Sequence, residues 1–251
     1  MSATHYFFTR IACDARTVCG PQQTPRSDDH IRQLIDTWVT KASKFYGCQE
    51  GGPYDFKVVL RYSEMDSHLI DEFRPFHYWA ILTTKYPHQW IADNVPVDEP
   101  VSFTRIDCDD SFSTDFMAYL DSRVFDLGTQ GVKRRLILYK QIRQLNMADG
   151  RMTTIMEHKC PMFCSLLWPL GMPVEVAKAC CDTYDRRHGP DDLLGLIGNH
   201  GKFHELDHES PQRCYALMRI TGINSANRLG LMGREWPTFE YEDTPDPRFQ
   251  L

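Results

Sequence analysis

Val101-Ser102-Phe103-Thr104-Arg105-Ile106-Asp107-Cys108-Asp109-Asp110 reads as a strand that runs directly into an acidic cluster. The β-branched and aromatic residues at 101–106 suit a pleated, half-buried segment. Asp107, Asp109 and Asp110 then arrive where that strand should end. Carboxylates this close repel one another, so a positive partner is expected beside them. A hard divalent cation is one such partner, because Mg²⁺ and Mn²⁺ prefer oxygen ligands and share them with phosphates. Period-two alternation would put Arg105, Asp107 and Asp109 on one face. A plainer reading has Asp109, Asp110 or Ser111 capping the helical-looking segment Ser113–Leu120. An EF-hand loop starting at Asp107 fails: its sixth position is Phe112 rather than Gly, and its twelfth is Ala118 rather than Glu. An aspartyl nucleophile of phosphatase type has no companion motif here.

Upstream, strands and helices alternate. Thr4–Ala12 reads as a strand, Cys13–Arg26 as a loop, and Asp28–Tyr46 as a helix with Ile31, Leu34, Ile35, Trp38 and Val39 at helical spacing. Gly47 is a natural stop, and Gly51-Gly52-Pro53 a turn. Phe56–Tyr62 and His77–Thr84 read as strands, with a short helix at Ser67–Phe73 between them and a helical turn at His88–Asn94 before the acidic strand. This alternation predicts an α/β fold with a Rossmann-like, mostly parallel sheet flanked by helices. Ligands of such sheets bind beyond the carboxyl ends of strands. That rule picks out Thr9-Arg10, Arg61-Tyr62-Ser63 and Asp107–Asp110.

The second half is less regular. Arg135–Ile142 and Met152–His158 read as strands, forming a hairpin across Asn146–Arg151 at the Asp149-Gly150 turn. Phe163–Trp168 is an apolar segment, Val174–Tyr184 and Asp191–Ile197 read as helices, and Arg213–Thr221 suits strand or helix. The expected organisation is one domain over 1–235, with a nucleotide-binding half (1–110) and an acceptor half (111–235). From Trp236 on, with Pro237, Pro245 and Pro247, the chain reads as an extended, partly mobile tail.

Composition narrows the class. The 251 residues are 42% hydrophobic and 25% charged, an ordinary globular balance. A net charge of −6 and a pI near 5.9 argue against a general nucleic-acid binder. The nine cysteines are odd in number and irregular in spacing, which suits buried free thiols in a reducing compartment rather than a zinc ribbon. Arg10 interrupts the short Tyr6-Phe7-Phe8 run, so no secretory pattern opens the chain. No stretch approaches the roughly 18 apolar residues of a membrane span. The expectation is a cytoplasmic protein, with Pro161–Met172 as the patch for any peripheral membrane contact.

Five motifs in order resemble the rhamnosyltransferase family of GT-A-type nucleotide-sugar glycosyltransferases. They are His5-Tyr6-Phe7-Phe8-Thr9-Arg10, then Thr104-Arg105-Ile106-Asp107-Cys108-Asp109-Asp110, then Cys160-Pro161-Met162-Phe163-Cys164-Ser165-Leu166, then Gly198-Asn199-His200, and last Ile220-Thr221-Gly222-Ile223-Asn224-Ser225-Ala226-Asn227. The resemblance spans roughly residues 4 to 232. The second and last strings together carry most of its specificity. Thr221 departs from the pattern, standing where the family has His.

The resemblance implies a GT-A-like fold and transfer of a sugar, rhamnose or another hexose, from a UDP-, dTDP- or GDP-linked donor to a glycan or other hydroxyl acceptor, with inversion. It also implies Mn²⁺ or Mg²⁺. Asp109 would be the direct metal ligand, Asp107 would touch ribose or a metal-bound water, and Asp110 would face the sugar or cap a helix. Arg105 would serve the donor or a structural ion pair, and Thr9 and Arg10 the nucleotide. His200 would complete the metal shell or hold a phosphate oxygen; the rival is a separate His204, Asp207, His208 cluster. Asp192, with Asp191 beside it, would take the acceptor's proton or simply start a helix, and Glu157 and Glu205 compete for the base role. Two other classes stay open: a non-catalytic glycan- or nucleotide-binding relative, and a metal-dependent phosphotransferase or hydrolase.

Overall fold

The computed structural model describes residues 3–11, 27–73, 80–147, 150–156, 163–173, 207–220 and 246–249. Four strands in its first half carry the frame: β1 (Thr4–Ile11), β2 (Phe56–Tyr62), β3 (Ala80–Thr83) and β4 (Val101–Arg105). All four run parallel, in the order β3-β2-β1-β4. β1 is central, and both of its faces are buried, as expected of a strand sandwiched between layers. Phe7 and Ile11 point into the larger core beneath the helices, and Tyr6 and Phe8 into a second core with Trp90, Phe103 and Trp168.

Two more strands complete this sheet from the second half of the chain. β9 (Cys164–Trp168) lies antiparallel to β4, and β6 (Arg135–Leu138) antiparallel to β9. The fold is therefore mixed α/β, with a large, mostly parallel six-stranded sheet. The two sequence halves interleave, since strands from beyond residue 110 finish the first half's sheet. The Pro161–Met172 stretch expected to serve any membrane contact contains this β9, every residue of which is buried; Pro161 and Met162 lie outside the described residues. Among the described residues of that stretch, Leu170 stands out, at 51% exposure. Among the described residues no helix is long and apolar enough to cross a membrane.

A second, four-stranded sheet has the order β5-β10-β7-β8, from β5 (Ser111–Phe112), β10 (Ala216–Ile220), β7 (Gln141–Asn146) and β8 (Met152–Met156). The stretch read as one strand from Arg135 to Ile142 is divided at Tyr139-Lys140. The chain leaves the main sheet there and enters the second. Tyr139 anchors the crossing: it is buried, its hydroxyl donates to Ser165 Oγ at 2.9 Å, and burial holds its phenol well above the ordinary range. The β7–β8 hairpin is antiparallel as expected, with Gly150 at φ 72°.

The helix expected over 28–46 is three pieces. α1 (Asp28–Thr37) gives way to a π-turn at Trp38–Ala42, and α2 (Lys44–Gly47) follows. Hydroxyls explain the break. Thr37, Thr40 and Ser43 each donate to the carbonyl four residues back, at 2.8, 2.7 and 3.0 Å, which competes with the helical ladder and bends it. Ser43 N–H then reaches Trp38 O at 2.8 Å, a five-residue step. The next helical segment, Glu64–Phe73, is 3₁₀. α3 (Pro87–Asn94) begins with Pro at a position that needs no N–H. α4 (Phe116–Thr129) buries Phe116, Met117, Leu120, Val124 and Leu127 as one stripe against the sheet. Cys48, Cys108, Cys164 and Cys214 are free thiols.

Candidate functional site

The strand order fixes where a ligand should sit. β1, β2 and β3 step outward in one direction, and β4 returns to the other side of β1. The crevice between the carboxyl ends of β1 and β4 is thus the point where strand order reverses, the usual ligand site of an open α/β sheet. A cleft opens there, lined by Thr9, Arg10, Arg61, Lys85, Arg105 and Asp107 on an apolar base that includes Phe8, Val59 and Ile106. Four cations face one carboxylate, which leaves the lining with an excess of three positive charges. That balance suits a polyanion.

Each charge has a structural reason for its place. Arg105 is the last residue of β4 and only 3% exposed, so its guanidinium is held by the fold. Its Nη2 lies 3.5 Å from Asp107 Oδ1, and Arg10 Nε lies 4.0 Å from the same oxygen. These are ion pairs longer than hydrogen bonds. Arg61, near the end of β2, stacks its guanidinium 3.8 Å from the centroid of the Tyr86 ring. Lys85 is steered by Asp93 of α3 at 2.6 Å. Thr9 is 3% exposed, and its hydroxyl has no hydrogen-bond partner among the described residues. A buried hydroxyl in that condition, on the lining of a cleft, is suited to a ligand oxygen.

The acidic cluster takes a different shape from the expected single-faced strand. β4 ends at Arg105, and Asp110 N–H turns back to Asp107 O at 3.1 Å. The alternation stops there. Asp107 turns into the cleft, half-buried beside the two arginines, whereas Asp109 and Asp110 are 5% and 3% exposed and do not line it. Arg105, Asp107 and Asp109 therefore do not share one strand face. The capping alternative falls too. Ser111 belongs to β5, and the residue before α4 is Asp115, which accepts a 2.6 Å hydrogen bond from Ser113 Oγ.

The cleft thus joins Thr9, Arg10, Arg105 and Asp107, with Asp109 and Asp110 on the turn that follows. The sequence reading missed Lys85, but it marked Arg61, at the end of β2, as a candidate ligand-binding spot, and the cleft includes it. The strand-end rule that marked Arg61 extends to Thr83 at the end of β3, but the Lys85 contact depends on the turn into α3. His200, Asp191, Asp192, Thr221, Glu157, Glu205, Asn224 and Asn227 lie outside the described residues, as does His204. Of the rival cluster, Asp207 is exposed and lies 3.2 Å from Arg135.

Metal fit is decided by donor chemistry. Among the described residues no group of three His, Cys, Asp or Glu side chains is placed to hold an ion. Mg²⁺ bound with a diphosphate commonly needs only one or two protein carboxylates, the phosphates and water supplying the rest. Of the Asp107–Asp110 turn, Asp107 lines the cationic cleft and would offer a hard oxygen donor to an ion that arrives with a diphosphate.

No protein-family model matches the chain, and no curated protein matches it. Among solved structures, S. aureus TarS 1–349 aligns with a TM-score of 0.43 and 9% identity over 87% of this chain and 60% of that one. The same TarS fragment in complex with UDP-GlcNAc aligns at 0.42 and 9% over 88% and 59%. The 4-diphosphocytidyl-2C-methyl-D-erythritol synthase of Anaerococcus prevotii aligns at 0.40 and 8% over 93% and 99%. The chain therefore spans about 60% of the length of the TarS fragment.

Proposed function

We propose that this protein is a nucleotide-sugar glycosyltransferase. The observation that carries the reading is the cation-lined cleft at the strand-order reversal, with Asp107 turned into it. Glycosyl transfer expels a nucleoside diphosphate, and stabilising that leaving group is an electrostatic task. Arg10, Arg61, Lys85 and Arg105 would share its negative charge, and Thr9 would donate to a phosphate or ribose oxygen. Asp107, held between two guanidiniums, would reach the ribose or a metal-bound water.

Mg²⁺ or Mn²⁺, held by Asp109 and Asp107 with His200 as a further ligand, would neutralise the diphosphate as it departs. Asp110 would face the sugar. Asp192, with Asp191 beside it, would accept the proton of the acceptor hydroxyl, and attack from the face opposite the leaving group would invert the anomeric centre. The sugar is a hexose, with rhamnose favoured by the motif resemblance, and the acceptor a glycan or another hydroxyl compound.

A panel of UDP-, GDP- and dTDP-sugars, incubated with Mn²⁺ and hydroxyl acceptors, tests the reading by the product released. Release of nucleoside diphosphate from one donor, abolished in Asp109→Ala at unchanged melting temperature, is the expected result. Release of inorganic phosphate instead would identify a phosphotransferase or hydrolase. Glycan binding with no turnover of any donor would identify a non-catalytic binder.

A further inference from the structure

Gln144 is a buried polar side chain of the second sheet. It lies in β7 at 1% exposure, and neither its amide oxygen nor its amide nitrogen has a hydrogen-bond partner among the described residues. Buried amides are almost always satisfied, because leaving one unmet forfeits its full hydration. A native partner therefore comes from a ligand, from water or from a residue outside the described ones.

The strand register says which way Gln144 faces. Arg143 and Leu145 take one side of β7: Arg143 Nη1 donates to Thr154 Oγ1 at 2.5 Å, and Leu145 packs with Met152, Leu217 and Phe249. Ile142 takes the other side, in the main core with Phe112 and Ala216. Alternation places Gln144 on Ile142's side, opposite Thr153 of β8 and beside Met218 of β10 in the register. That face continues through β10 to β5, whose Phe112 belongs to the same core. The chain enters β5 directly from the Asp107–Asp110 turn. β7 stands two strands from β5, about 10 Å away, so the unmet amide lies on the sheet that the acidic turn leads into.

The chemistry of the amide selects the ligand. It offers two donors and one acceptor together. A phosphate would leave the acceptor unmet, and an apolar group would leave both. A polyol matches, because each hydroxyl donates and accepts. We infer that Gln144 reads the hydroxyls of the transferred sugar, a specificity residue on a different strand from the nucleotide cleft. This inference rests on the glycosyltransferase reading.

The test compares wild type with Gln144→Leu and the unbranched Gln144→Met, titrated with UDP, GDP and dTDP and with UDP-glucose, GDP-mannose and dTDP-rhamnose, all with Mn²⁺. Both variants should melt no lower than wild type, since replacing an unbonded buried amide by an apolar group of similar shape is neutral or stabilising. They should bind the nucleoside diphosphate as wild type does, while the extra affinity of the matching nucleotide sugar falls about tenfold. Variants that keep the full preference for the nucleotide sugar overturn the inference and leave the nucleotide site intact. So do variants whose melting temperature drops while that preference is unchanged, which would mark a structural role. If wild type binds none of the nucleotides, the glycosyltransferase reading fails and this inference falls with it.

Discussion

Asp107 stands beside two guanidiniums without a short bond to either, at 3.5 Å from Arg105 and 4.0 Å from Arg10. Loose pairs of this kind are exchangeable: a phosphate oxygen entering the cleft can take over Arg10, which is partly exposed, while the buried Arg105 keeps Asp107 in place. Arg10→Ala should therefore weaken nucleoside diphosphate binding by roughly 10- to 100-fold, the range of one hydrogen bond to a charged group. Calorimetric titration at low and high salt checks this, with a shallower salt dependence expected in the variant. The sequence made the carboxylates, Thr9, Arg10 and Arg105 legible, because they sit at or just past the ends of strongly patterned strands. It misjudged how the acids are presented, because Asp110 N–H turning back to Asp107 O ends the alternation where a strand rule would carry it on. Lys85 was invisible, since its position depends on Asp93 eight residues later in α3.

Elements were legible in proportion to their local patterning. β1, β2 and β4 fall within a residue of expectation, and the β7–β8 hairpin forms at its Gly turn. β9 was not recognised as a strand, because a short, fully buried apolar run has no periodicity to read. Its role emerges only from pairing with β4 and β6. The end of β9 depends on one glycine. Gly171 has φ 92°, and a Cβ there would lie 2.4 Å from the Asp98 carbonyl carbon. This close approach lets Asp98 N–H reach Met172 O at 3.2 Å and ties the loop before β4 to the loop after β9. Gly171→Ala should cost of order 2 kcal/mol or more, read as a lower denaturant midpoint at unchanged slope.

At the scale of the molecule, residues 246–249 close onto the second sheet. The tail was expected to be extended, yet its described residues, 246–249, are seated. Thr114 N–H donates to Arg248 O at 2.8 Å, Arg248 Nη1 donates to Cys214 O at 3.0 Å, and Phe249 is buried with Leu145, Met152 and Leu217. Phe249→Ala should lower stability by about 3 kcal/mol, measured by chemical denaturation. Burial would push the Asp246 carboxyl up, but the hydrogen bonds and charge of Arg248, with Arg143 beyond it, hold it below the usual range. His5, 3.6 Å from Asp121, likewise holds that carboxyl down. Groups depressed in the folded state stabilise it above their unfolded pKa of about 3.9 and lose that contribution as pH falls through the folded value. Melting temperature should therefore drop below about pH 4, and the acid-sensitive part should shrink in Arg248→Ala.

The central claim is that the cleft where β1 meets β4 holds a nucleoside diphosphate with a metal at the acidic turn. Calorimetric titration of UDP, GDP, dTDP and CDP, each with Mn²⁺ and with EDTA, into wild type and Asp109→Ala tests it most directly. The account predicts saturable binding of one nucleotide that needs Mn²⁺ and is lost in the variant at an unchanged melting temperature. Binding of none of the four, or equal binding by wild type and Asp109→Ala with or without metal, would contradict it.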